Sequence, residues 1–141
     1  EKASFCLSEV KLGLIPATIG PYVVNAMGVK ASRRLFQTAE RFSAEQAYKF
    51  GLVDSVVSID ELDNETSSFV KQLLGNGPQA LKQAKQLVFD VANRPIDDQV
   101  IADTSERIAA IRVSEEGQEG LTSFFEKRKP SWINNNNEEG A

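Results

Sequence analysis

The sequence predicts a mostly α-helical chain with about two short strands, and three observations predict it. Apolar residues recur at a helical period through most of the chain after residue 59. The strand-like stretches are short and few, at residues 3–7 and 52–58. Gly, Pro and Ser stand where helices would start and stop. The length of 141 residues suits one domain with a real core, and 41% apolar and 26% charged residues are ordinary for a soluble globular protein.

Each element follows from local pattern. Residues 3–7 read as a strand, and Pro16 then stands near the first turn of a helix, where its missing N–H costs little. That helix is expected to turn Tyr22, Val23, Val24, Ala26 and Met27 inward and to end near Gly28, with Pro21 delaying or bending its start. A second helix, about 30–38, places Ala31, Leu35 and Thr38 on one side and Arg33 and Arg34 on another. Ser43-Ala-Glu-Gln46 fits a capping box for a helix that ends at Gly51, and Leu52–Ser58 reads as a β-branched strand. The rest reads as helices. Leu62, Phe69, Val70, Leu73 and Leu74 form one apolar face. Leu81, Ala84, Leu87, Val88 and Val91 form a second after Pro78, and Val100, Ile101, Thr104, Ile108 and Ile111 a third after Pro95. A last helix, about 114–127, opens at Ser114 and carries Leu121, Phe124 and Phe125. Two strands alone make no stable sheet, so either the first extends a sheet supplied from elsewhere or the helices pack without it.

Composition narrows the function. The net charge of -4, from 16 Lys+Arg and 20 Asp+Glu, argues against a broad nucleic-acid face, although Lys127, Arg128 and Lys129 form a local basic run. There is no histidine, which removes Ser-His-Asp triads and His-ligated zinc from this chain. The single cysteine, Cys6, reads as an apolar strand residue in a chain suited to a reducing compartment. No apolar run approaches the roughly 20 residues of a membrane span. The start at Glu1-Lys2 reads as if cut from something longer, and residues 134–141 read as a polar, disordered tail.

Two places have the residue types for chemistry or binding. Glu9 follows the apolar segment that opens the chain, with Val10, Leu12, Leu14 and Ile15 around it and Gly13 permitting a close backbone approach. It is either a surface glutamate in a turn or an acid–base group whose proton affinity burial has raised. In Glu119-Gly-Leu-Thr-Ser-Phe-Phe-Glu-Lys-Arg-Lys-Pro-Ser-Trp132, Phe124 and Lys127 share a helix face at i and i+3. The run is either an amphipathic helix with a solvated basic end or a seat for a ligand with a flat base and phosphates. Phe125 competes with Phe124 as the exposed ring.

Taken together, these segments resemble the crotonase, or enoyl-CoA hydratase/isomerase, superfamily. Ser8-Glu9-Val-Lys-Leu-Gly13-Leu-Ile-Pro16 is similar to the family's Pro-Glu-x-x-x-Gly-x-x-Pro between a strand and a helix. The region from Gly28 to Val57 resembles Gly-x-x-x-Ala…Thr-Gly…Phe-x-Ala-x-x-Ala…Gly-Leu-Val, with Ala39-Glu40 where a Thr-Gly is usual. The final run matches Glu-Gly-x-x-Ala-Phe-x-Glu-Lys-Arg-x-Pro-x-Trp. The resemblance spans about residues 3–132, and within the family it looks closest to bacterial hydratases of branched acyl-CoAs such as methylglutaconyl-CoA hydratase. A departure lies at Ala17-Thr-Ile-Gly20-Pro21, where the family has Gly-Ala-Gly-Gly.

The resemblance implies the C-terminal portion of an α/β crotonase-like ββα spiral. Residues 1–58 would end the spiral core, 59–133 would form a helical oligomerisation region, and 134–141 the tail. It implies hydration of an enoyl-CoA, or isomerisation, with Glu9 as the second of a carboxylate pair, and Phe124 and Lys127 touching the nucleotide end of CoA. No separate cofactor or metal is implied, coenzyme A being part of the substrate. No nucleic-acid or membrane partner is implied. A cytoplasmic homotrimer or hexamer is. The first catalytic glutamate and the oxyanion-hole N–H groups would belong to the other half, so the fragment alone is expected to be inactive, leaving a non-catalytic helical module.

Overall fold

A computed structural model describes residues 1–135 and divides the chain into two compact units, Glu1–Thr66 and Ser67–Ala141. The first unit opens with β1 (Ser4–Phe5), a 3-10 turn (Glu9–Leu12) and α1 (Gly20–Thr38). β2 (Phe42–Ser43) and α2 (Ala44–Lys49) follow, then a second 3-10 turn, Ile59–Glu61.

The strands pair antiparallel in the register Ser4↔Ser43 and Phe5↔Phe42. The expected strand at Leu52–Ser58 does not form: those residues run as bends and irregular chain, and the second strand is Phe42–Ser43 instead. The reason is a shortage of partners. A segment needs a ladder of several residues to pair with, and the sheet offers only two on each strand, Ser4–Phe5 and Phe42–Ser43. The Val57 carbonyl instead accepts a hydrogen bond from the Glu1 amino group at 2.8 Å.

α1 is two helical pieces meeting at Gly28, whose φ of 76° and ψ of 166° break the helix where the sequence placed an end. Only a residue without a Cβ takes this backbone freely. Val23 and Met27 are buried as expected, whereas Tyr22 and Ala26 lie exposed. The helix ends on Ala39 with φ 47°, a left-handed cap that favours glycine. At α2 the expected capping box is present in both directions. The Gln46 N–H donates to Ser43 Oγ at 3.3 Å, and the Ser43 N–H donates to Gln46 Oε1 at 3.0 Å.

Leu7, Val23, Met27, Leu35, Phe42 and Ala47 make the core of this unit, with Phe5, Phe36 and Phe50 packed against it. Phe42 stacks on Phe5 at 5.4 Å between ring centroids and meets Phe50 edge-on at 6.1 Å. Burying one such ring contributes about 1.5–3 kcal/mol.

α3 (Leu62–Leu74) spans the unit boundary. The second unit continues with α4 (Pro78–Val91), α5 (Asp98–Arg112), α6 (Glu115–Phe125) and α7 (Ser131–Asn135). Its helix starts follow the expected chemistry. Pro78 opens α4. Asp97 caps α5 by accepting from the Val100 N–H at 2.9 Å, and Ser114 caps α6 by accepting from the Gly117 N–H at 3.1 Å. One cap was invisible in the sequence: the Glu116 carboxylate accepts from the N–H groups of Gln79 and Ala80, closing the start of α4. Arg107 ties α5 to α4 through Asp90 at 2.6 Å and also holds Asp103 at 3.1 Å.

The apolar faces read as core-forming are largely open here. Leu62, Phe69, Val70, Leu73 and Leu74 of α3 are exposed, as are Val88, Phe89, Ile101 and Ile108. The amphipathic pattern is real, but among the described residues little covers it. α7 takes in Asn134 and Asn135, and the rest of the expected tail lies outside the described residues.

Candidate active site

Glu9 begins the 3-10 turn that follows the opening strand and the buried Leu7. Its main-chain oxygen accepts from the Leu14 N–H at 3.1 Å and from the N–H of Gly13. Gly13 closes the turn with φ 71°, a left-handed conformation that a Cβ disfavours although there is open space around it. The Glu-x-x-x-Gly spacing is thus the length of one tight turn plus its cap.

The Glu9 side chain is half-buried, and its Oε2 is shielded from solvent with no hydrogen-bond partner among the described residues. Native structures rarely leave a buried carboxylate oxygen unpaired, and a catalytic role is one of the explanations for such an atom. The neighbouring apolar residues are arranged otherwise than the sequence suggested. Leu12, Leu14 and Ile15 are exposed rather than packed around the carboxylate, as are Ile19 and Tyr22. Gly20, in the stretch that departs from the family glycines, is buried, and a Cβ there would meet the Phe36 ring at 3.6 Å.

The second candidate group is at the end of α6. Both rings, Phe124 and Phe125, are 76% exposed and meet edge-on at 5.7 Å, so the choice between them does not arise: both face outward. Lys127 lies just past the helix end with φ 55° and is exposed. The expected three-residue basic run is not a uniform patch. Arg128 donates to both carboxylate oxygens of Glu119, at 2.6 and 2.8 Å, and to Glu126 at 2.7 Å. Glu119 also accepts from the Ser131 N–H at 2.8 Å. These contacts, led by Arg128, hold the Glu119 carboxyl at about 2. The Trp132 indole N–H donates to the Gly75 carbonyl at 3.3 Å, and its ring lies over Gly120. Sequence reasoning found Glu119 and Arg128 only as motif letters, because no helical spacing signals a contact between residues so separated.

A groove of about 510 Å³ runs between α4 and α5, lined by Ala84, Leu87, Thr104, Ile108 and Ile111 among others. Neither Glu9, Phe124 nor Lys127 lines it. No group of described residues has the donor set of a metal site, and no described helix is long and apolar enough to cross a membrane.

Comparison with known proteins gives this geometry its context. The family model for enoyl-CoA hydratase/isomerase matches residues 1–135. A carnitinyl-CoA dehydratase of Salmonella agona is 31% identical over 144 residues, covering 94% of this chain and 52% of that protein. An enoyl-CoA hydratase of Shewanella pealeana is similar in structure, with a TM-score of 0.86 and 53% identity over 92% of this chain and 48% of the other. A Legionella pneumophila protein assigned to the enoyl-CoA hydratase/isomerases, or crotonases, gives a TM-score of 0.87 at 49% identity, over 92% and 50% of the two chains. The chain therefore spans about half the length of the relatives it matches, and its mostly helical fold with a two-stranded sheet is a portion of the crotonase fold. On the extent of the family match and the similarity of these structures, this chain belongs to the enoyl-CoA hydratase/isomerase family.

Proposed function

We propose that this chain is the C-terminal portion of an enoyl-CoA hydratase that adds water across the α,β double bond of an acyl-CoA thioester, with Glu9 as an acid–base group. The order of its motifs supports that placement. The unpaired, shielded Oε2 of Glu9, in a turn followed in sequence by the exposed Leu12, Leu14 and Ile15, carries the mechanistic reading. A thioester held against N–H donors of the other half of the fold would gain enolate character at its oxygen, making the β-carbon electrophilic. Glu9 would then hold water and exchange a proton at the α-carbon. The dehydratase name of the Salmonella relative supports water addition or loss as the reaction type.

At the far end of the substrate, the exposed Phe124 ring and the Lys127 ammonium suit the base and phosphates of CoA. The open apolar residues of α3 and α6 support assembly through these helices as a homotrimer or hexamer. In the full-length protein, Glu9→Gln should lower turnover of crotonyl-CoA by about 10²-fold or more. Unchanged turnover would remove Glu9 from the chemistry. The isolated 141-residue chain should show no hydratase turnover, and measurable turnover would show that this half supplies its own oxyanion donors.

Isomerisation by the same carboxylate is the second reading, favoured by the double name of the matching family model. Incorporation of solvent oxygen into the product distinguishes hydration from a proton shuttle.

A further inference from the structure

We propose that Glu119 is a positioning residue for Lys127: its forked ion pair with Arg128 holds the left-handed turn that presents the Lys127 ammonium to the substrate. The inference rests on the reading of Lys127 as a CoA contact. The turn has two hydrogen bonds, from the Lys127 N–H to the Phe124 carbonyl at 3.2 Å and from the Arg128 N–H to the Ser123 carbonyl at 3.0 Å. Helices that end this way put a left-handed residue between those donors, and glycine is the favoured occupant. Here the occupant is a lysine at φ 55°. Ala39 and Asn93 are left-handed as well, but here the residue kept where glycine would relax the turn carries a long, exposed cationic side chain, which points to a use for it.

Attraction of a lysine to the helix C-terminus is a weaker explanation. Lys129 stands two residues on and provides that charge without a left-handed backbone. Among the described residues Lys127 has no ion pair, whereas Arg128 is paired twice. The strained turn is over-determined from its C-terminal side. Glu119, one side chain, takes two hydrogen bonds from the Arg128 guanidinium and one from the Ser131 N–H, pinning the chain that leaves the turn back onto α6. An Arg fork fixes direction as well as distance. Freed of this pin, the turn can relax and swing the ammonium away.

The test is a double-mutant cycle in the full-length protein, with coenzyme A as the probe and calorimetry as the readout. Lys127→Gly should weaken CoA binding about tenfold or more, as for loss of a charge-assisted contact, while keeping or raising the melting temperature because the turn relaxes. Glu119→Gln should weaken binding about threefold or more, raise KM for the acyl-CoA and leave kcat near its native value. Added to Lys127→Gly, Glu119→Gln should cause no further loss of affinity. An equal loss on both backgrounds, or none on the native one, would overturn the positioning role. If Lys127→Gly itself binds CoA normally, the CoA-contact reading fails and the inference with it, an outcome distinct from the other two. Arg128→Lys, which keeps the charge and loses the fork, runs the same cycle if Glu119→Gln does not fold.

Discussion

Gly117 is the third residue of α6, where replacement by alanine would ordinarily gain up to about 1 kcal/mol of helix propensity. The structure reverses the sign. A Cβ at this position would overlap the Ile111 carbonyl and come within 3.1 Å of the Arg112 oxygen, both rigid backbone at the end of α5. Relief requires the two helices to part at Ser114. That loosens the cap from the Gly117 N–H to Ser114 Oγ, worth about 1 kcal/mol. It also strains the bond from the Ser114 hydroxyl to the Ile111 carbonyl at 2.7 Å, about another 1 kcal/mol. Overpacking itself costs about 1–3 kcal/mol. Net of propensity, Gly117→Ala should destabilise by about 2–4 kcal/mol. Urea unfolding followed by circular dichroism reads this as a lower midpoint at unchanged slope. Ser114→Ala is the control, removing the cap and the hydroxyl's bond to Ile111 without the overlap, at a cost of about 2 kcal/mol. A Gly117→Ala protein as stable as the native one, or more so, would show that the α5–α6 corner yields freely and that glycine is not required there.

Other perturbations test separate parts of the structure. Phe42→Ala removes a buried ring that contacts two others and should cost about 3–5 kcal/mol in the same assay, a loss under 1 kcal/mol showing that the aromatic cluster is loosely packed. Ser32 is buried with a hydroxyl that has no partner among the described residues, so Ser32→Ala should be stabilising by about 1 kcal/mol, and destabilisation would reveal a hydrogen bond to that oxygen. Glu119 has a folded pKa of about 2 against an ordinary value of 4.5, so its stabilising contribution is complete above pH 4.5 and is lost as pH falls through about 2. The melting temperature of the native protein should therefore fall more steeply over that window than that of Glu119→Gln, and parallel curves would refute the ion pair.

The two candidate sites were legible in the sequence to different depths. Glu9, Gly13 and Pro16 lie within one turn and its exit, so their spacing encodes the geometry directly. Phe124 and Lys127 were paired by helical spacing, but the helix stops at Phe125, and a left-handed turn rather than a helix face sets the lysine's direction. The expected apolar enclosure of Glu9 did not form in this chain, because Leu12, Leu14 and Ile15 extend outward.

By itself the sequence determined the helix starts at Ser43, Pro78 and Ser114, the break at Gly28, the apolar faces and the family motifs. Each depends on residue types within about four positions of one another, where chain connectivity alone enforces the encounter. Tertiary structure decided that Phe42–Ser43 rather than Leu52–Ser58 pairs with the opening strand, that Glu116 caps α4, and that Arg128 turns back onto Glu119. It also decided which apolar faces are covered. Such pairings depend on where the chain returns in space, and local spacing does not say which strand edge or carboxylate the packing will bring within reach.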